Sequence, residues 1–92
     1  MQTPNVTIDR LIALCDGAGI DTADAAVHSF HEPRDLHDRA AFNALIVAAM
    51  EAGYELARSG AQWRATPLIG ASAEYGDTIP DALAALLEAT RG

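Results

Sequence analysis

Residues 53–92 read GYELARSGAQWRATPLIGASAEYGDTIPDALAALLEATRG, and this stretch decides the fold. Tyr54 and Leu56 alternate with Glu55, which predicts a strand over residues 54–58. Ser59-Gly60 reads as a two-residue hairpin turn. In residues 61–66, Trp63 and Ala65 alternate with Gln62, Arg64 and Thr66, the pattern of a second strand. Pro67 has no N–H to donate to a ladder and ends it. Gly70 marks the turn into a third strand over 71–75, where Ala71, Ala73 and Tyr75 alternate with Ser72 and Glu74. This parity places Trp63 and Tyr75 on the inner face. Glu55, Gln62, Arg64, Ser72 and Glu74 then point to water, as in an antiparallel sheet covered on one side. A reversed register would set Trp63 beside Tyr75 on an open sheet face, a composition suited to protein binding. Gly76-Asp77 turns the chain into a last helix. Thr78 is its N-cap, Asp81 stands three residues on in a capping box with Asp in place of Glu, and Pro80 sits in the first turn. Ile79, Leu83, Leu86 and Leu87 form its apolar stripe.

Working upstream, Asp35 caps a long helix that Gly53 closes, with Asp38 near a capping-box position. Phe42, Leu45, Ile46 and Ala49 form one stripe on it, and Ala40, Ala44, Val47 and Met50 make the opposite side apolar as well. Asn43 is the only polar residue between 40 and 50. A helix apolar nearly all round is covered on more than one side. The sheet can cover one face, and N-terminal helices or a second copy of the chain the other. Thr7 caps a first helix carrying Ile8, Leu11, Ile12 and Cys15 at one-face spacing, and Gly17 and Gly19 end it. Asp21 or Thr22 caps a second helix that fades near Phe30 and is stopped by Pro33. The expected fold is α+β: short N-terminal helices, then helix, three-stranded antiparallel meander and helix, with the helices on one face of the sheet. Residues 1–92 form one domain, an N-terminal helical extension over 1–32 and an αβββα sandwich over 33–92.

Charge narrows the function classes. Thirteen acids face six bases, all of them arginine, for a net charge of −7. Nucleic-acid affinity comes largely from Lys and Arg displacing counterions from phosphates, so direct binding to DNA, RNA or an anionic membrane is not expected. A basic protein surface is the partner that this charge favours; bare solubility is the plain alternative. No apolar run approaches the ~18 residues of a membrane span. The N-terminus lacks the basic start and apolar run of a secretory signal, so a cytoplasmic protein is expected. The single cysteine, Cys15, falls on an apolar helical stripe and reads as a buried, inert thiol.

The segment from His31 to Ala89 carries Pro33, Arg39-Ala-Ala-Phe42, Gly53-Tyr54, Trp63, Gly76-Asp77-Thr78 and Ala82-Leu83-Ala-Ala-Leu86. In these residues it resembles the phage ABA-sandwich family of bacteriophage and prophage proteins. That family commonly has a cysteine in the last helix, which this chain lacks, and the resemblance implies a fold but no activity. The ending Tyr75-Gly76-Asp77-Thr78 with Ala82-Leu83 is also similar to HicB-type antitoxins, which neutralise a small basic ribonuclease toxin. The helix–three strands–helix order resembles the double-stranded-RNA-binding domain too. That domain needs a basic cluster at the start of its second helix, where this chain has Asp77 and Asp81.

His28, His31 and His37 are the cluster with metal-ligand chemistry. Their spacing fits no established motif, and three solvated histidines are expected rather than a zinc site. Glu51 with Glu55, or Asp77 with Asp81, could be offered as acid/base pairs, but helix-end, strand-exterior and capping roles account for each. No nucleophile elbow or glycine-rich phosphate loop is present. The expected function is therefore binding without catalysis or cofactor. It is that of a phage-type accessory protein, in concrete form an anti-CRISPR-like inhibitor acting in the host cytoplasm, that occludes a basic nucleic-acid-handling surface. Glu51, Glu55, Glu74, Asp77 and Asp81, with Trp63, are the candidate partner-binding residues. The alternative is a HicB-like antitoxin, or an assembly module that homodimerises through the apolar back of the helix over residues 40–50.

Overall fold

A computed structural model describes residues 4–29, 34–67 and 73–91; the side chains at 28, 29, 34–38 and 91 fall outside the described set. Four helices and three strands follow in the order α1 (Ile8–Gly17), α2 (Ala23–Ser29), α3 (Arg34–Glu51), β1 (Glu55–Ser59), β2 (Gln62–Thr66), β3 (Glu74–Gly76) and α4 (Ile79–Arg91). The strands form one antiparallel sheet in the order β1-β2-β3. This is the α+β arrangement of helix, meander and helix that the alternation of residues 53–92 predicts.

The local signals act as expected at most element ends. Thr7 caps α1, its side chain accepting from Arg10 N at 3.2 Å, and Gly19 takes the positive φ of +79° beyond the C-terminus. The Asp21 carboxylate accepts from Ala23 N at the start of α2. α3 begins at Arg34, so Asp35 lies inside its first turn rather than at the cap.

Two features of the sheet differ from the expected register. Ser59 belongs to β1 and pairs with Gln62, so the hairpin turn is Gly60-Ala61. Gly60 has φ +61° and Ala61 does not share the positive φ, as in a type II′ turn. This moves the cross-strand partners by two residues, Leu56 facing Ala65 and Arg58 facing Trp63, and leaves the faces unchanged. In β3 the parity is reversed. Trp63 pairs with Gly76 and Ala65 with Glu74, so Glu74 and Gly76 share the inner face, and Tyr75 stands across from Arg64 on the outer face, 49% exposed. The reason is steric. A Cβ at position 76 would lie 2.4 Å from the backbone N of Ala82, so only glycine fits where α4 crosses β3. Residues 70–72, the expected start of the third strand, lie outside the described residues.

α4 is the centre of the molecule. Ala82 and Leu86 face the sheet and pack with Ala65, beside Trp63, Leu56 and Tyr54. Leu83 and Leu87 face the other way, into a cluster with Leu11, Leu14 and Cys15 of α1 and Ala41, Leu45 and Ala49 of α3. Among the described residues α3 meets the sheet at β1 alone, and α4 supplies the cover over β2 and β3. α2 lies against α3 and α1, which answers in part what covers the back of the long helix. Val47 and Met50 of α3 nevertheless stay 53% and 54% exposed.

Candidate functional site

The fold divides the six expected partner-binding residues into three situations. Glu51 ends α3 and Glu55 opens β1, so these two acids stand at the β1 edge of the sheet. Glu74 opens β3, and Asp77 follows it at the opposite edge. Two strand spacings, about 10 Å, separate the edges. The carboxylates of Glu51, Glu55, Glu74 and Asp77 make no hydrogen bond or ion pair with any described residue.

Asp81 is occupied within the chain. Its Oδ1 accepts from Val6 N at 2.8 Å, and its Oδ2 accepts from Asn5 N at 3.0 Å and from the Thr78 hydroxyl at 2.8 Å. Asp81 N donates in turn to Thr78 Oγ1 at 3.3 Å, the N-cap bond of α4, and the reach-back bond of the expected capping box goes to the Thr78 hydroxyl in place of its backbone N–H. The same carboxylate thus orients the Thr78 cap of α4 and clamps the segment leading into α1. Its negative charge lies at the positive end of the α4 dipole, a favourable placement. Removing it in Asp81→Ala takes away the acceptor of the capping Thr78 hydroxyl and leaves two backbone donors without theirs. The expected cost is about 2 kcal/mol, read as a lower urea midpoint at unchanged slope, with faster amide exchange at Asn5 and Val6. A midpoint equal to that of the parent contradicts the clamp.

Trp63 is half-buried on the inner sheet face against Ala65, Ala82 and Leu86. The Arg58 guanidinium lies 5.5 Å from its ring centroid and donates through Nε to the Gly60 carbonyl at 3.0 Å. Trp63 therefore seals the end of the core near the hairpin, and Tyr75 is the aromatic on the open face. Arg10 is also engaged, pairing with Glu88 at 3.0 Å and tying α1 to α4. Both side chains are about half exposed, so this pair adds little stability.

Cys15 is fully buried, and burial pushes its thiol up to about 11, which leaves essentially no thiolate near neutral pH. His31 and the side chains of His28 and His37 lie outside the described residues. Among the described residues no group of three or more His, Cys, Asp or Glu side chains is placed to hold a metal ion. No helix among them is long and apolar enough to cross a membrane.

One concavity was not anticipated from the pattern of residues. A groove of about 600 Å³ runs between the start of α2 and the outer side of α3. Asp21, Asp24 and Glu51 supply carboxylates to its walls, and Ala44, Val47 and Ala48 supply apolar surface. The residue pattern marks Asp21 or Thr22 as a cap and gives Asp24 no role. The signal that could have found the site is electrostatic: α1 and α3 both end without a basic residue in the last turn, against the usual preference. Comparison with protein families, with curated proteins and with solved structures found no match.

Proposed function

We propose that the chain works by binding a protein with a basic surface and carries out no chemistry of its own. The observation that supports this reading is the uneven use of charge. Of the four arginines with described side chains, Arg10 is engaged with Glu88 and Arg58 with Gly60 and Trp63, and Arg39 and Arg64 have no described partner, while seven acids, Asp9, Asp16, Asp24, Glu51, Glu55, Glu74 and Asp77, have none. With thirteen acids against six bases, the exterior carries an uncompensated negative field. Such a field steers a basic partner into encounter and repels phosphate. A surface that normally holds a nucleic-acid backbone has the complementary charge. The concrete form of the proposal is an inhibitor of a nucleic-acid-handling machine in the cytoplasm, of the phage accessory or anti-CRISPR-like kind.

Immobilised chain is expected to retain basic proteins from a host lysate and to release them as salt rises. With a retained protein in hand, reversing Glu51, Glu55, Glu74 and Asp77 to lysine is expected to slow association by about tenfold or more at low ionic strength, with a smaller effect at high salt. An unchanged association rate at low salt contradicts the proposal.

A second reading is carried by the exposure of Val47 and Met50 on α3. Two apolar side chains one turn apart, both more than half exposed, suit a homodimer contact of the antitoxin or assembly-module kind. Sedimentation equilibrium separates the readings: a monomer at micromolar concentration removes this one.

A further inference from the structure

The groove between α2 and α3 combines two features that need the same kind of occupant. Its floor is the outer side of α3, where Ala40, Ala44 and Ala48 form one four-residue row and Asn43, Val47 and Glu51 the next. Rows of this kind are what the ridges of a second helix pack against, and the small alanines let that helix approach closely. From Ala40 to Ala52 the floor runs about 18 Å at 1.5 Å per residue, enough for about three turns of a docked helix.

The charge at the groove is of one sign. Asp21, Asp24 and Glu51 line it, and no basic side chain does so among the described residues. Its lining includes Gly19, just beyond the C-terminus of α1, and Glu51 and Ala52 at the C-terminus of α3. The C-termini of α1 and α3 thus both contribute to the lining, and neither helix carries a base in its last turn to offset its dipole. Glu51 adds a full negative charge at a helix C-terminus, where it is locally unfavourable. Local conflicts of this sort collect at functional positions.

We infer that this groove docks a basic amphipathic helix of a partner protein, its apolar stripe on Ala44, Val47 and Ala48 and its arginine or lysine side chains on Asp21, Asp24 and Glu51. The inference rests on the binding function proposed above and names the site and the partner's chemistry. A docked cation beside Glu51 would offset both that carboxylate and the C-terminal dipole end of α3. A helix lacking an apolar stripe would leave Val47 exposed, and an acidic helix would be repelled.

The test uses the full chain and a fluorescent synthetic peptide of roughly 18 residues built from Leu, Ala, Lys and Arg with its apolar residues on one helical face. A second peptide has the same composition with the apolar residues scattered around the helix. Anisotropy is read at low and moderate salt, with circular dichroism confirming that each variant is folded. The segregated peptide is expected to bind more tightly than the scattered one. Asp24→Lys with Glu51→Lys is expected to weaken it about tenfold, and Val47→Gln by a few-fold, while Glu74→Lys with Asp77→Lys at the far sheet edge changes it less than about twofold. Equal loss from the groove and far-edge variants overturns the groove and leaves the broader basic-surface reading standing, as does equal affinity for the two peptides. Absence of salt-sensitive binding to either peptide overturns both. A chain that self-associates through Val47, shown by a dimer that Val47→Gln dissociates, overturns the inference by filling the groove with a second copy.

Discussion

Gly76→Ala is expected to cost about 3 kcal/mol or more and to lower the melting temperature by roughly 10–20 °C. The added Cβ would stand 2.4 Å from Ala82 N and 2.6 Å from the Asp81 carbonyl carbon, both backbone atoms of α4. A flexible side chain could swing aside from such a contact; a helix backbone cannot. Relief requires α4 to lift from β3, and that opens the packing of Ala82 and Leu86 against Ala65. The φ of Gly76 is not positive, so the demand is for space rather than for a glycine conformation. Gly17→Ala is the matched control. Nothing lies within 4 Å of its added Cβ, and stability is expected to stay level or rise by up to about 1 kcal/mol. Thermal unfolding of the two variants checks the pair, and equal melting temperatures would remove the close crossing of α4 over β3.

Leu83→Ala is expected to be as damaging, about 3–5 kcal/mol, because Leu83 is fully buried where α4 meets α1 and α3. The loss combines the transfer of the removed methyl groups with the cavity left among Leu11, Leu45 and Leu87. For a domain of this size that is a large part of total stability, so the variant is expected to be partly unfolded near 37 °C. Met50→Ala, on the same layer but half exposed, is expected to change stability by under about 0.5 kcal/mol. Chemical denaturation of both distinguishes a core centred on α4 from one centred on the back of α3. If Met50→Ala costs as much as Leu83→Ala, the exposed side of α3 is covered in solution and the homodimer reading gains.

The elements that could be read from residue order are those with chemical punctuation. Thr78 and Pro80 mark the start of α4 through an N-cap and a missing N–H and sit in those roles, while Asp81, expected in a capping box, accepts from the Thr78 hydroxyl rather than its backbone N–H. Thr7 and the glycines after α1 are equally direct. The strands were legible because Trp63 and Ala65 alternate with polar residues over a whole strand. The parity of β3 was not. Ala71, Ala73 and Tyr75 look like an inward row, yet the residue that must face α4 is Gly76, and a requirement for no side chain leaves no trace in hydropathy. Once Gly76 points inward, period-two alternation turns Tyr75 outward.

The acidity of the groove was legible in the composition, and its place was not. Net charge pointed to a basic partner, but the reading grouped acids by sequence neighbourhood. Asp81 is drawn into the cap and the clamp on Asn5 and Val6, and Glu55 and Glu74 sit on opposite strands of the sheet. Asp24, distant in sequence from Glu51, shares a groove with it because α2 folds back along α3. That proximity follows from helix packing, which depends on which face of an almost wholly apolar helix the core takes. Ala41, Leu45 and Ala49 take it: Leu45 and Ala49 belong to the expected stripe, whereas Phe42 and Ile46 are only partly buried and Ala41 takes the remaining core position.

The most direct measurement of the central claim is an amide NMR titration of the isotopically labelled chain with the face-segregated basic peptide. The account predicts progressive, salt-sensitive shifts at Gly19, Asp24, Asn43, Val47 and Glu51, with the amides of β3 unmoved. Shifts confined to residues 74–77, or none at low salt, would contradict it.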